Sequence, residues 1–292
     1  MLGLLHRVST QSLVDLPAGG AQATLFCDFR ARLLHRAWVA RLADDSVWLL
    51  RDDAPGDTLA AHIDRHVFRE DVKIENLGDR LAVVGVLGAV PVGGVLDSAP
   101  TVGLAPGRVI EREGVPSSVG IAPGVTLELV PASASGAASA SPPTPAANAH
   151  TWELARIAAG RPRHGHEIAE AFHPFEVGLW EDVHLSKGCY TGQEVLQRLV
   201  TYDSVRRRLA RVSGPGEPPA TPMPACIGKE RVGTVTSAAR DGAGWTGLAV
   251  LAKAALEPGA RVGVEDGAEL LAIIEFPEGR PRGLPQTSSQ RT

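Results

Sequence analysis

The stretch His184 to Val200, HLSKGCYTGQEVLQRLV, concentrates the residues of this chain best suited to chemistry. Cys189 is one of three cysteines in 292 residues, and Lys187, two positions earlier, is one of four lysines. A thiol beside a cation and a helix N-terminus is expected to have a lowered pKa and more thiolate at neutral pH. Gly188, between them, allows an unusual turn or the close approach of a ligand. A plainer reading exists. Thr191-Gly-Gln-Glu194 has the form of a capping box, with the Thr191 hydroxyl accepting from the Glu194 amide and the Glu194 side chain reaching back to the Thr191 amide. Tyr190 and Val195 then occupy the positions of a hydrophobic staple. On that reading a helix starts at Thr191, with Val195, Leu196, Leu199 and Val200 as its apolar face. Cysteine is also a common buried residue, so the residues alone leave both readings open.

Other groupings carry weaker signals. Cys27, Cys189 and Cys226 have no ligand spacing, and one core, one motif and one strand cysteine is the simpler assignment. His62 and His66 are four apart, half of a zinc-binding pattern, but no glutamate follows His62, which favours a solvated helix face. His164 and His166, in RPRHGHEI, read as surface loop. Arg206, Arg207, Arg208 and Arg211 form the main basic cluster: a solvated strand face, a clamp for an anionic ligand, or a patch for tRNA. The Gly85 to Gly94 run has neither a P-loop lysine nor a GxGxxG spacing.

The elements that must position these groups fall into sections. Leu25, Cys27 and Phe29 alternate as a strand facing a core. Ser46 to Leu50, Asp71 to Ile74 and Leu81 to Leu87 read as strands. Asp57 to Phe68 has helical spacing, and Ile110 to Val130 reads as short strands around Gly114, Pro116 and Pro123. Residues 131–150, PASASGAASASPPTPAANAH, are a low-complexity loop that cannot bury enough apolar area to order itself. A helix follows from Thr151, with Gly160 in the stop position. Asp182 to Ser186 reads as a strand entering the motif. After Val205 come short strands separated by Gly, Pro and Asp turns, the rhythm of a small antiparallel barrel. From about Pro277 the chain is polar and expected to be loose.

Hydrophobic residues make up 44% of the chain and its net charge is −4. That composition allows substantial cores, and it disfavours broad electrostatic binding of nucleic acid. Three cysteines without a framework spacing fit a reducing compartment. The N-terminus has no secretory pattern, and Leu81 to Leu96 is too short and too broken for a membrane span. A soluble, cytoplasmic, monomeric protein is expected.

KGCYTGQE, with Arg198 four residues later, resembles the signature of the YgfZ-type folate-binding proteins, relatives of the glycine cleavage T-protein (aminomethyltransferase). HRVSTQSLVDL, ARIAAGRPRHGHEI with HPFEVGL, and RVGTVTSAA with GLAVLAKAAL resemble further segments of that family, so the likeness runs along nearly the whole chain. The resemblance implies an α+β fold: an aminomethyltransferase-like folate-binding domain over 1–208, a C-terminal β-barrel over 209–276, and a flexible tail over 277–292. It implies a cavity for tetrahydrofolate and a role in assembling or repairing iron–sulfur clusters in client enzymes. Carried over, Cys189 and Lys187 are the reactive pair, and Gly188, Tyr190, Gly192, Gln193, Glu194 and Arg198 complete the motif. Glu176 is placed near a pterin ring, with Arg206 and Arg208 as further folate contacts and the cluster Arg206, Arg207, Arg208 and Arg211 as a clamp for the glutamate tail of folate.

The chain departs from the family at three places. It begins downstream of the family's first strand and helix, which the resemblance implies are missing. The stretch Ala31 to Arg36 has no carboxylate where aminomethyltransferases carry an acidic pair, and Ala158 stands where they carry a glutamate. The last two disfavour aminomethyl transfer, which stays as the alternative activity, with a tRNA-binding regulatory protein as the second alternative.

Overall fold

The computed structural model describes residues 1–43, 46–87, 107–112, 115–122, 125–132, 149–258, 260–264, 269–270 and 272–284. Residues 133–148 of the low-complexity loop and 88–94 of the glycine-rich run lie outside them. Among the described residues no helix is long and apolar enough to cross a membrane.

The chain forms two units, Met1–Thr24 with Arg36–Ala147, and Leu25–His35 with Asn148–Thr292. The division falls within two strands, β1 (Gly20–Cys27) and β2 (Leu33–Ala43), and not at the expected 208/209 boundary. A single segment, Leu25–His35, belongs with residues more than a hundred positions away.

In the first unit, α1 (Leu2–Val8) buries Leu4, Leu5 and Val8 on one face. The STQ segment that follows is polar yet buried. The Thr24 hydroxyl donates to Ser9 Oγ at 2.8 Å and accepts from the Gln11 amide at 3.1 Å, which satisfies groups that would be costly to bury alone. β2 pairs antiparallel with β3 (Ser46–Leu50), bringing Trp38 opposite Leu50 and Ala40 opposite Trp48. A second antiparallel sheet has the order β4 (Leu81–Leu87), β7 (Val125–Pro131), β6 (Val115–Ala122), β5 (Val109–Arg112). Val119 and Leu127, both fully buried, face each other across it. Helix α2 is shorter than its apolar spacing suggests, Asp57–Asp64, and Asp71 to Ile74 is extended without joining a ladder.

The second unit is built on one antiparallel sheet from residues 207–275, the region where a small barrel was expected. Its order is β13 (Glu269–Leu270), β12 (Gly263–Val264), β9 (Met223–Ile227), β10 (Glu230–Asp241), β11 (Gly244–Ala252), β8 (Arg207–Pro215), β14 (Ala272–Glu275). The strand period of two splits its apolar residues between two clusters. Leu209, Leu248 and Val250 join one with Phe175, Tyr190 and Leu196, while Ala210, Ala249 and Leu251 join another with Trp245 and Val262. Helix α3 (Ala149–Ala158) begins two residues before Thr151 and ends before Gly160, whose φ is +61°.

Behind α3 lies a closed polar cluster. Glu167, with no exposure, accepts from the hydroxyls of Thr236 and Ser237, the amide of Arg163 and the guanidinium of Arg156. Arg156 also holds Glu153 through two bonds, and His166 Nδ1 donates to Thr236 O at 2.7 Å. Burial works against the Glu153 carboxylate, but Arg156, Arg163 and His166 outweigh it and lower its pKa. These residues are the ARIAAGRPRHGHEI and RVGTVTS segments of the sequence. Their job in this fold is to tie α3 to β10.

Candidate functional site

The KGCYTGQ turn is anchored at its centre and open at its edge. Tyr190 is 8% exposed and its ring belongs to the larger apolar cluster. Its hydroxyl is buried without a hydrogen-bond partner among the described residues. Lys187 Nζ lies 4.7 Å from the Tyr190 ring centroid, cation–π range. Burial lowers the Lys187 pKa to about 8. The Cys189 thiol is exposed, whereas Cys27 is buried, and burial, then Asp28, pushes its thiol far up. The Tyr190 phenol is likewise raised, first by burial and then by Cys27. Cys226 is half-buried on β9, so the three cysteines occupy core, motif and strand.

The helix does not start at Thr191. Helix α4 runs Gln193–Thr201, and its N-cap is Gly192, with φ +83° and no side-chain cap. A Cβ on Gly192 would sit 2.8 Å from Asp28 O and 2.9 Å from Ala31 Cα, so this position must approach another backbone closely. That contact overrides the local capping pattern. Thr191 is exposed, and Glu194 turns outward to pair with Arg198 one turn on. Gln193 secures the turn instead, donating to Leu185 O at 2.9 Å. The apolar face of α4 packs as expected, with Leu196 fully buried and Val195, Leu199 and Val200 against the same cluster. Gly188 has φ +108° and open space beside it.

The partner of Gly192 is a turn that sequence reading missed. Strand β1 stops at Cys27, and Asp28 Oδ1 accepts from the amides of Arg30 at 2.8 Å and Arg32 at 2.7 Å. Ala31 takes φ +58°. Phe29, expected to face a core, is 71% exposed, with the Arg30 guanidinium 5.1 Å from its ring centroid. The signal was present: an aspartate caps its own following backbone readily, so a strand ending in Asp is a turn candidate.

The opposite flank of that turn meets HPFEVG. His173 Nδ1 lies 3.2 Å from Ala31 O. Burial, together with Arg32 and Arg207, holds the His173 imidazole below its ordinary range. Glu176 is buried, and its two oxygens take Arg207 Nε at 2.8 Å and Nη2 at 3.0 Å, while Oε2 also accepts the His173 amide. The carboxylate placed near a pterin is therefore engaged by the protein's own groups. Of the basic cluster, Arg207 is the member brought to this site. Its side chain points to the same side of β8 as Leu209, and it lies over Phe172 at 5.3 Å. Arg206 is exposed before β8, and Arg208 pairs with Glu278 at 2.6 Å.

Two expectations near the motif are corrected. Asp182 to Ser186 is no strand; His184 makes a single parallel bridge to Arg282. The segment from Pro277 is not loose as far as Leu284. The Leu185 amide donates to Arg282 O at 3.0 Å, and the Arg282 amide to Val183 O at 2.8 Å. This strap braces the approach to Lys187.

A cavity of about 900 Å³ lies elsewhere, in the first unit, walled by Trp48, Leu50, Leu59, Ile63 and Lys73 among others. None of the motif residues lines it. His62, on α2, is buried, which with His66 and Arg65 lowers its pKa to about 4, so only part of the predicted solvated face is wet. Among the described residues no cluster of three or more His, Cys, Asp or Glu is placed to hold a metal.

No family model matches the chain. It is similar to a solved structure, the glycine cleavage system aminomethyltransferase T of Bartonella henselae, with a TM-score of 0.70 over 96% of this chain and 82% of that one, at 15% identity. The chain therefore has the aminomethyltransferase fold, α+β with antiparallel sheets and few helices. Over 127 residues it is 38% identical to a chloroplastic protein of Arabidopsis thaliana named as a transferase, a match that takes in 42% of this chain. The chain spans only 28% of that relative's length.

Proposed function

We propose that this protein binds tetrahydrofolate and serves as an accessory factor for iron–sulfur client enzymes, with Cys189 as its reactive group. One observation carries the reading. The exposed thiol sits on a turn whose neighbours Tyr190 and Gly192 are locked into the second unit, so the sulfur is held out at a fixed place. A merely structural cysteine has no need of such a mount. Lys187, half-buried beside Tyr190, supplies a cation near the motif. When bound, tetrahydrofolate would supply a reduced pterin able to carry a one-carbon unit. The orphan Tyr190 hydroxyl is a polar group that a ligand or water could satisfy. Glu176 would have to exchange Arg207 for a pterin edge, which makes it a poor first contact. The protein is taken to act as a cytoplasmic monomer.

Titration with tetrahydrofolate, followed by tryptophan fluorescence, tests the ligand. Trp180, stacked on Phe175 at 4.4 Å, should report a saturable change, and an unchanged signal with no heat of binding overturns the reading. Replacing Cys189 by Ala should depress client-enzyme activity in cells while leaving the protein folded; full complementation would remove the thiol from the mechanism.

A second reading, aminomethyl transfer, is favoured by the fold shared with the Bartonella protein. Arg32, His35 and Arg36 stand in the stretch that would need carboxylates, and His35 is stacked on His164 with ring centroids 5.7 Å apart. A glycine cleavage assay with lipoyl carrier should show no turnover; turnover would reverse the ranking of the two readings.

A further inference from the structure

Strand β3 is the last strand of its sheet, so one of its edges has no ladder partner among the described residues. Its sequence, Ser46-Val-Trp-Leu-Leu50, carries no charge and no proline, the devices that commonly blunt an open edge. Residues of β3 not bonded to β2 turn their N–H and C=O groups toward that edge. A second unpaired length of backbone faces the same space. Asp71 to Glu75 joins no ladder, and the amides of Lys73, Ile74 and Glu75 have no backbone acceptor among the described residues. Its exposure alternates: Val72 and Ile74 are half-buried, while Asp71, Lys73 and Glu75 are exposed. That is the burial pattern of a strand without its neighbour. Both lengths line the cavity of about 900 Å³, with Leu59 and Ile63 of α2 and Leu129 of β7 among its apolar walls. All five residues of β3 reach it, from both faces of the sheet, so the cavity opens on an edge about 17 Å long.

The charges at the rim select the occupant. Asp71, Lys73 and Glu75 alternate in sign along one face of their segment. Opposite charges across neighbouring strands attract and like charges repel. The matching strand therefore reads basic, acidic, basic at alternate positions, with apolar residues between, and that order is the same in either direction. Arg51 is held by Asp53 and takes no part, and Glu75 already has Arg80 beside it at the surface, so the match is weakest there. The β3 strand of a second copy is uncharged and does not supply this pattern.

We propose that the slot docks an extended segment of a partner protein, of the form Lys-apolar-Glu-apolar-Lys, which adds a strand to β3. The slot lies wholly within the first unit and is independent of the folate reading and of the Cys189 loop.

Fluorescence anisotropy of labelled acetyl-Lys-Val-Glu-Val-Lys-amide with the full chain tests this. Binding should be saturable. The charge-reversed peptide, Glu-Val-Lys-Val-Glu, should bind roughly tenfold more weakly, the sum of three cross-strand pairs. Two forms N-methylated on alternate amides remove the donors of one edge at a time, and at least one of them should also lose roughly tenfold. Lys73 is exposed, so Lys73→Glu should keep the fold, weaken the first peptide and strengthen Lys-Val-Lys-Val-Lys. Hydrogen exchange should slow in β3 and at Lys73 to Glu75 when the peptide binds, and not in β10. No saturable binding, equal binding of the charge-reversed and N-methylated forms, or protection confined to other strands overturns the proposal. Sedimentation supplies the last arm: a dimer of the chain that the peptide dissolves assigns the slot to a second copy and overturns the partner.

Discussion

The second unit holds two polar clusters of opposite character. Around Glu167, a carboxylate with no exposure is matched by two hydroxyls, an amide and a guanidinium, and Arg156 is matched in turn by Glu153. Around the Asp28 to Arg32 turn, charges are left in excess at the surface: Arg30 and Arg32 without carboxylate partners for their side chains among the described residues, a phenylalanine in solvent, and an exposed thiol on the adjoining loop. The first cluster and the loop that carries the thiol come from segments that stand out in the sequence as motifs. A polar group whose every partner is supplied by the fold has a structural task; one held rigidly with spare donors is ready for something else. The difference lies in how the partners close around each group, and motif strength alone does not reveal it.

The sharpest way to break the comparison is Glu167→Ala. Removing Glu167 takes from Arg156 one of its two carboxylates and strips the Ser237 hydroxyl and the Arg163 amide of their acceptor, so the unit should lose about 3–5 kcal/mol. Urea unfolding measures it. A loss under about 1 kcal/mol would mean that the cluster is not closed as described, and that it too has groups to spare.

How much of this was legible follows the same division. The apolar face of α4 and the run of strands after Val205 were readable because they repeat with helix and strand periods, and those periods survive into the packed sheet and cluster. The turn at Asp28 was missed because the alternation of Leu25 and Cys27 was carried on to Phe29, past an aspartate able to end the strand. The start of α4 was misplaced for a long-range reason. Thr191 to Glu194 is a sound local cap, but Gly192 is pressed against a backbone about 160 positions earlier, and the box cannot form there. The strap at Arg282 was missed because composition reports side chains, whereas the strap is held by backbone bonds to Val183 and Leu185. In the candidate site, Cys189, Lys187 and Tyr190 stand together in one sequence motif, whereas Arg207 is one of a run of arginines.

Gly192→Ala tests the mount with a smaller effect. A β-carbon there meets Asp28 O and Ala31 Cα, and the backbone has φ +83°, so a cost of roughly 1–3 kcal/mol is expected. The telling readout is local. Cys189 should lose its uniform reactivity toward a thiol reagent and the Arg32 turn should exchange its amides faster, while exchange in the Glu167 cluster stays slow. Equal loosening of both regions would show that the turn is not a separate mount.

The smallest effect concerns Lys187 and has a definite sign. Its amine titrates at about 8 in the folded protein because burial disfavours the charge, against about 10.4 in an unfolded chain. Below pH 8 both states carry the proton and the residue adds no pH dependence. Between about 8 and 10.4 the unfolded chain binds more protons, so Lys187 makes stability rise with pH, and the rise ends once both states are neutral. Cys27 and Tyr190 act in the opposite direction there, since burial raises both and the unfolded chain releases their protons first. The total slope is therefore a sum of opposed parts, and only a difference isolates the lysine. Lys187→Met should remove the rising part alone, so that the gap in urea midpoint between the variant and the parent narrows or reverses from pH 7.5 to pH 10. Solvent around the partly exposed amine keeps that change modest. A gap independent of pH would mean that Lys187 is as wet as any surface lysine, and the motif loop would then lose its desolvated cation and keep only its rigid mount.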